Sequence, residues 1–161
     1  MNTTSKSRYA LKIMMDLAMH GRSELVRRQG ISRRQGIPTK YLDQILGQLR
    51  RGGLIDSVRG RDGGYTLATD PCHISVWQIF HTVEGNGIFP VACVSDHHGC
   101  GFEDGCVTAD PWKMIFDSMK AQLVGLTLEE LYQRFSNEKK MCPVAGVREC
   151  IQIKSSGGVV C

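Results

Sequence analysis

Three cysteines, Cys93, Cys100 and Cys106, fall within fourteen residues in the stretch CVSDHHGCGFEDGC. His97, His98, Gly99, Gly101, Gly105 and three acids lie between them. Thiolates do two kinds of chemistry: they bind soft metals, and they are oxidised. The stretch has neither helical nor strand periodicity, so it reads as a loop that cannot bury its thiols. Reactive thiols exposed without a role carry oxidative risk and no gain. Structural zinc sites favour closely spaced cysteine pairs. Here six residues separate the first pair and five the second. Residue types and spacing alone leave metal ligation, thiol redox chemistry and simple packing open.

The rest of the chain narrows the setting. Its 161 residues suit one domain or two small ones, and 42% hydrophobic with 22% charged residues describes a globular chain. No apolar run reaches the length of a membrane span. The N-terminal residues are interrupted by Lys12 and Asp16 and do not read as a secretory signal. The expected location is the cytoplasm, where the seven cysteines would be reduced rather than paired. No nucleophile–base pair or acid dyad stands out, so neither an enzyme nor a small-molecule substrate is expected.

Charge is uneven along the chain. Residues 1–70 carry 13 Lys/Arg against 6 Asp/Glu, and residues 71–161 carry 7 against 10. A basic first half on an acidic second half points to a polyanion partner for the first.

Periodicity supplies the elements. A helix is expected over about 5–20, with Tyr9, Ala10, Ile13, Met14, Leu17 and Ala18 on one face and Gly21 as its stop. A short helix near 26–35, a turn at Gly36-Ile37 and a helix from Pro38 to Arg50 follow. In the last, Leu42, Ile45, Leu46 and Leu49 form the buried stripe, and Thr39, Lys40, Asp43, Gln44 and Gln48 point away. LIDSVRG and GGYTLA read as two strands joined through RGRDGG. Residues 74–85 read as a helix with Ser75 as its cap. Past the cysteine loop, Asp110 and Pro111 suit the start of a helix whose stripe is Trp112, Phe116, Met119, Leu123 and Leu126, widened by Ile115. Gly125 is its stop. Thr127 and Glu130 form a capping-box pattern for a last helix.

This order is that of a winged helix-turn-helix: mainly α, with a small β-hairpin wing, followed by a long helix suited to dimerisation. The expected divisions are 1–85 for the DNA-binding unit, 86–109 for the cysteine-rich loop, 110–137 for the dimerisation helices and 138–161 for a loose tail. A B-DNA major groove admits one α-helix, and the helix after Pro38 would be the reader. Gln44 suits a paired contact to adenine, Lys40 a guanine or a phosphate, and Asp43 a cytosine amine. Thr39 and Tyr41 suit phosphates. Arg59 and Arg61, at the hairpin tip, suit the minor groove or the backbone.

The stretch RRQGIPTKYLDQILGQLRRGGLIDSVRGRDGGYTLA, then ISVWQIFHTVEG, then the cysteine loop and CVTADPW, resembles the iron–sulfur-dependent winged-helix repressors typified by IscR and NsrR. The likeness runs over about residues 3–137. It implies a homodimer that grips palindromic double-stranded promoter DNA, with the long helix crossing its partner. It also implies an iron–sulfur cluster, 2Fe-2S or 4Fe-4S, on Cys93, Cys100 and Cys106, whose state reports iron–sulfur status, redox or nitric oxide. Two positions depart from the family pattern. Ala109 stands where IscR-like members place a histidine ligand, and Arg8 stands near where NsrR-like members use an acid. The fourth ligand is therefore open among Asp110, His97, His98, a tail cysteine (Cys142, Cys150 or Cys161) and none. A cluster-free regulator using zinc or thiol redox at the same cysteines is the alternative. An electron-transfer or cluster-carrier protein fits less of the chain. Cys72 reads as a packing or surface residue.

Overall fold

The computed structural model describes residues 5–21, 24–88 and 109–141. Six α-helices and one hairpin occur among them: α1 (Ser5–His20), α2 (Arg28–Gln35), α3 (Thr39–Arg51), β1 (Ile55–Val58), β2 (Gly64–Leu67), α4 (Val76–Glu84), α5 (Ala109–Gly125) and α6 (Leu128–Met141). A 3-10 turn at Pro71–His73 joins the hairpin to α4. The fold is a winged helix-turn-helix, as the element order in the sequence implies. No helix among the described residues is long and apolar enough to cross a membrane.

The core follows the periodicity. Ala10, Ile13, Met14, Leu17 and Ala18 of α1 are buried against Leu42, Ile45, Leu46 and Leu49 of α3. Ile31, Ile37, Ile55, Ile74, Ile79 and Val83 close it. Leu128 of α6 enters the same cluster, so a helix from the C-terminal half returns to the first core. Backbone bonds hold it there: Val76 N–H donates to Leu126 C=O at 2.9 Å, and Leu128 N–H to Ile74 C=O at 2.8 Å.

The local signals act as expected, with small displacements. Gly36 takes φ 65° at the end of α2, a left-handed turn that favours glycine, and the chain bends there into α3. Pro38 stands one position before α3 rather than inside it, and its carbonyl accepts the Tyr41 and Leu42 N–H groups. The Ser75 cap forms as part of a full capping box with Gln78, and the box expected of Thr127 and Glu130 forms too. Ser75 Oγ accepts from Gln78 N–H at 3.2 Å while Gln78 Oε1 accepts from Ser75 N–H at 2.8 Å. Thr127 and Glu130 make the same exchange at 3.2 and 3.3 Å. Helix α5 starts one residue early, so Asp110 lies in its first turn and does not cap it. Helix α6 continues to Met141, past the boundary expected at 137.

One expectation is corrected. Val26 is not helical: its N–H and C=O both pair with Tyr65 at 2.9 Å, adding a single-residue bridge to the hairpin. Its β-branched side chain is buried, and that placement outweighs a first helical turn here.

Helix α5 differs from the others. Of its apolar stripe only Phe116 is buried, edge-on to Trp77 at 5.8 Å. Met114 is 70% exposed and Ile115 57%, which is costly surface for a helix meant to face water.

Candidate nucleic-acid interface

Helix α3 is presented by what lies behind it. Its four buried residues fix one face to α1, which turns Thr39, Lys40, Asp43 and Gln44 to solvent. Thr39 and Lys40 occupy the first turn, where backbone N–H groups have no partner within the helix and suit phosphate oxygens. Tyr41 is half-buried, and its ring packs edge-on against Tyr9 at 5.6 Å. Its apolar body thus serves the core.

Gln44 lies in a shallow hollow of about 380 Å³ together with Lys6, Gln48 and Arg51. Periodicity places Gln48 on the outward face. It is half-buried instead, and its Oε1 is shielded without a hydrogen-bond partner among the described residues. Asp43 already has a partner. Arg28 Nη1 donates to both of its oxygens, at 3.1 and 2.9 Å. Both side chains are nearly half exposed, so the pair adds little stability, about 0–1 kcal/mol. Its effect is electrostatic: it neutralises a carboxylate on the exposed face of α3. A base that meets Asp43 must compete with Arg28.

The wing is set by backbone. β1 and β2 pair antiparallel, Ile55 with Leu67 and Val58 with Gly64. A Cβ on Gly63 would come within 2.3 Å of the Val58 carbonyl oxygen, so only glycine closes this loop. Arg59 and Arg61 stand exposed on the loop. Arg27, before α2, reaches the same loop with a 3.0 Å bridge to Asp62.

Between wing and helices lies a groove of about 280 Å³ that holds three arginines, Arg28, Arg50 and Arg59, beside Ser57 and Tyr65. Arg50 Nη1 donates to Ser57 Oγ at 3.3 Å. In the sequence Arg28 and Arg50 belong to the basic half without a pattern that assigns them a role. The doublets Arg27-Arg28 and Arg50-Arg51 at the edges of helices were the available signal. The structure brings Arg59 to this groove and Gln44 to the hollow, while Arg61 lines neither.

A buried ion pair holds the unit together from behind. Asp16 of α1 is fully buried. Arg34 Nε and Nη2 donate to its two oxygens at 2.9 and 2.6 Å, and Gln35 Nε2 donates at 2.9 Å. Burial pushes the Asp16 carboxyl up, but the Arg34 and Gln35 hydrogen bonds and the Arg34 and His20 charges outweigh it and hold it below the ordinary value. Arg34 is raised in turn, chiefly by its hydrogen bond to Asp16. Helix α2 is thus locked to α1 at the turn that leads into α3.

Cys93, Cys100, Cys106, His97, His98, Cys142, Cys150 and Cys161 lie outside the described residues. Of the fourth-ligand candidates only Asp110 is described, and it is exposed in the first turn of α5.

A family model described as an iron-dependent transcriptional regulator, Rrf2, matches residues 3–134. The chain belongs to the Rrf2 family. This Rrf2-family chain is 35% identical to the transcriptional regulator IscR of Photorhabdus laumondii over 95% of its own length and 98% of that protein's. It is 36% identical to an Escherichia coli IscR over 91% of its length and 86% of that protein's. Among solved structures, IscR of T. potens matches with a TM-score of 0.70 at 30% identity, over 92% of this chain and 96% of that one. CymR, the global cysteine regulator of B. subtilis, also matches with a TM-score of 0.70 at 30% identity, over 83% and 98%. The chain is an IscR-like, DNA-binding transcriptional regulator, a role that is not enzymatic.

Proposed function

We propose that two copies of this chain together bind a palindromic promoter and repress it, with binding governed by an iron–sulfur cluster on Cys93, Cys100 and Cys106. The observation that carries the DNA half is the exposed polar face of α3 set beside the groove holding Arg28, Arg50 and Arg59. Gln44 and Lys40 read base edges in the major groove, and Thr39 and Tyr41 sit at its phosphate rim. Arg59 and Arg61 follow the backbone into the minor groove. Asp43, while paired to Arg28, keeps negative charge off the phosphates.

The donor set fits a cluster: three thiols within fourteen residues of sequence, and the Asp110 carboxylate exposed in the first turn of α5. A bound cluster supplies metal–thiolate bonds that are labile to oxidant, to nitric oxide and to iron shortage. Cys93, Cys100 and Cys106 would hold it, just before α5 in the sequence. Asp110, His97 or His98 is the candidate fourth donor, and a non-thiolate donor suits a sensor. The exposed Met114 and Ile115 on α5 favour a second copy of α5 as their cover. A change at the loop then moves α5 against its partner and alters the spacing of the two reading helices.

The test is anaerobic purification followed by iron and sulfide counting, a visible spectrum, and selection of bound sequences from a random duplex library. A brown protein that selects a palindrome supports the reading. Colourless, iron-free protein whose selected sites are indifferent to Cys93→Ser, Cys100→Ser and Cys106→Ser refutes the cluster half and leaves the DNA half standing.

A further inference from the structure

The turn between the wing and α4 gathers a second set of metal-ligating side chains. Asp70, Cys72 and His73 each offer one ligand atom, and these atoms all lie within 4.8 Å of one another. All three residues are exposed. Cys72 Sγ is 3.5 Å from His73 Nδ1. A sulfur and a nitrogen bound to one tetrahedral zinc, at ordinary bond lengths, stand about 3.6 Å apart. The thiol and the imidazole are therefore already at chelating distance.

The backbone holds them there. Asp70 Oδ1 accepts the Cys72 N–H at 3.0 Å, which fixes the carboxylate over the turn. Pro71 stiffens the first position of the 3-10 turn. The following residue, Ile74, is pinned to Leu128 at the start of α6. Glu129 is the next residue of α6 and adds a second carboxylate on that side. Asp70 and Glu129 both put negative charge beside the Cys72 sulfur. The same negative field attracts a divalent cation, which displaces the thiol proton to solvent on binding.

We propose that Asp70, Cys72 and His73 form a binding site for a thiophilic divalent cation of the zinc class, with solvent completing the coordination. None of its three ligands is among those proposed to hold the cluster, and the site does not depend on the function proposed for Cys93, Cys100 and Cys106. A cation there braces the 3-10 turn that joins the wing to α4.

The experiment uses the full chain carrying Cys93→Ser, Cys100→Ser and Cys106→Ser, so that the loop contributes no thiols. Zn²⁺ is titrated in competition with a chromophoric chelator, and Co²⁺ is added separately to read thiolate charge transfer in the near ultraviolet. Cys142, Cys150 and Cys161 remain as thiols, so the difference between parent and variant is the readout. Cys72→Ser and His73→Ala are each expected to remove one zinc equivalent, or to weaken it by about tenfold or more, since even the outer partners of metal ligands are worth about that much. Cys72→Ser also removes one thiolate's share of the Co²⁺ band. Both residues are exposed, so circular dichroism should show unchanged helicity. Equal zinc uptake in parent and both variants overturns the proposal. So does loss in Cys72→Ser alone with His73→Ala unchanged, which would mean a single thiol and no chelate.

Discussion

Replacing Arg34 with alanine strips Asp16 of two hydrogen bonds and its nearest full positive charge. Removing one partner of a buried ion pair costs about 3–5 kcal/mol, because the other charge stays buried and uncompensated. Here Asp16 has no exposed surface, while the Arg34 side chain is 38% exposed. Water therefore screens part of the interaction, and Gln35 keeps one hydrogen bond to Oδ1. The low end, about 3 kcal/mol, is expected at neutral pH. For a chain of this size that lowers the melting temperature by about 6–12 °C. Acid gives a second reading with a definite sign. In the native chain the folded Asp16 sits below its unfolded value, so its stabilisation is present above pH 3.8 and is lost as pH falls through the lowered value. In Arg34→Ala burial dominates and the folded carboxyl rises above its unfolded value, so the penalty is greatest at neutral pH and vanishes as the carboxyl protonates. Urea unfolding of both proteins, at one protomer concentration, at neutral pH and near about pH 4, measures this. A difference under about 1 kcal/mol at neutral pH, or one that widens on acidification, refutes the account of Asp16 as a charged anchor.

Gln44→Ala should change which bases are selected, whereas Arg59→Ala should weaken all duplexes alike and lower the salt slope of binding by about 1, as fluorescence anisotropy at several salt concentrations would show. Equal loss on all sequences for Gln44→Ala would remove it from base reading. Arg28→Ala releases the Asp43 carboxylate toward the phosphates, so affinity should fall, and adding Asp43→Asn should recover part of it. Gly63→Ala drives a Cβ into the Val58 carbonyl, so the wing should distort and DNA affinity fall about tenfold or more while helicity by circular dichroism is kept. Met114→Glu with Ile115→Glu should shift the mass seen by sedimentation from dimer to monomer; an unchanged mass would place the dimer contact elsewhere.

What periodicity and short-range chemistry can specify was legible in the residues. The buried stripe of α3, the left-handed stop at Gly36 and the boxes of Ser75 with Gln78 and Thr127 with Glu130 all act within one or two helical turns. Their free energies depend on neighbours that the order of residues supplies directly. The wing was legible for the same reason, since its register follows from a loop that only glycine can close.

Packing decided the rest. Asp16 read as an interruption of an apolar helix and is instead a fully buried anchor, because α2 delivers Arg34 and Gln35 to it from eighteen and nineteen residues away. Asp43 read as a base contact and is held by Arg28, fifteen residues earlier. Val26 left the helix for the hairpin, and Arg50 and Arg59 came to share one groove. Periodicity assigns a side chain to a face of its own element. Which charge stands opposite depends on how two elements cross, and that angle is set by the whole core at once.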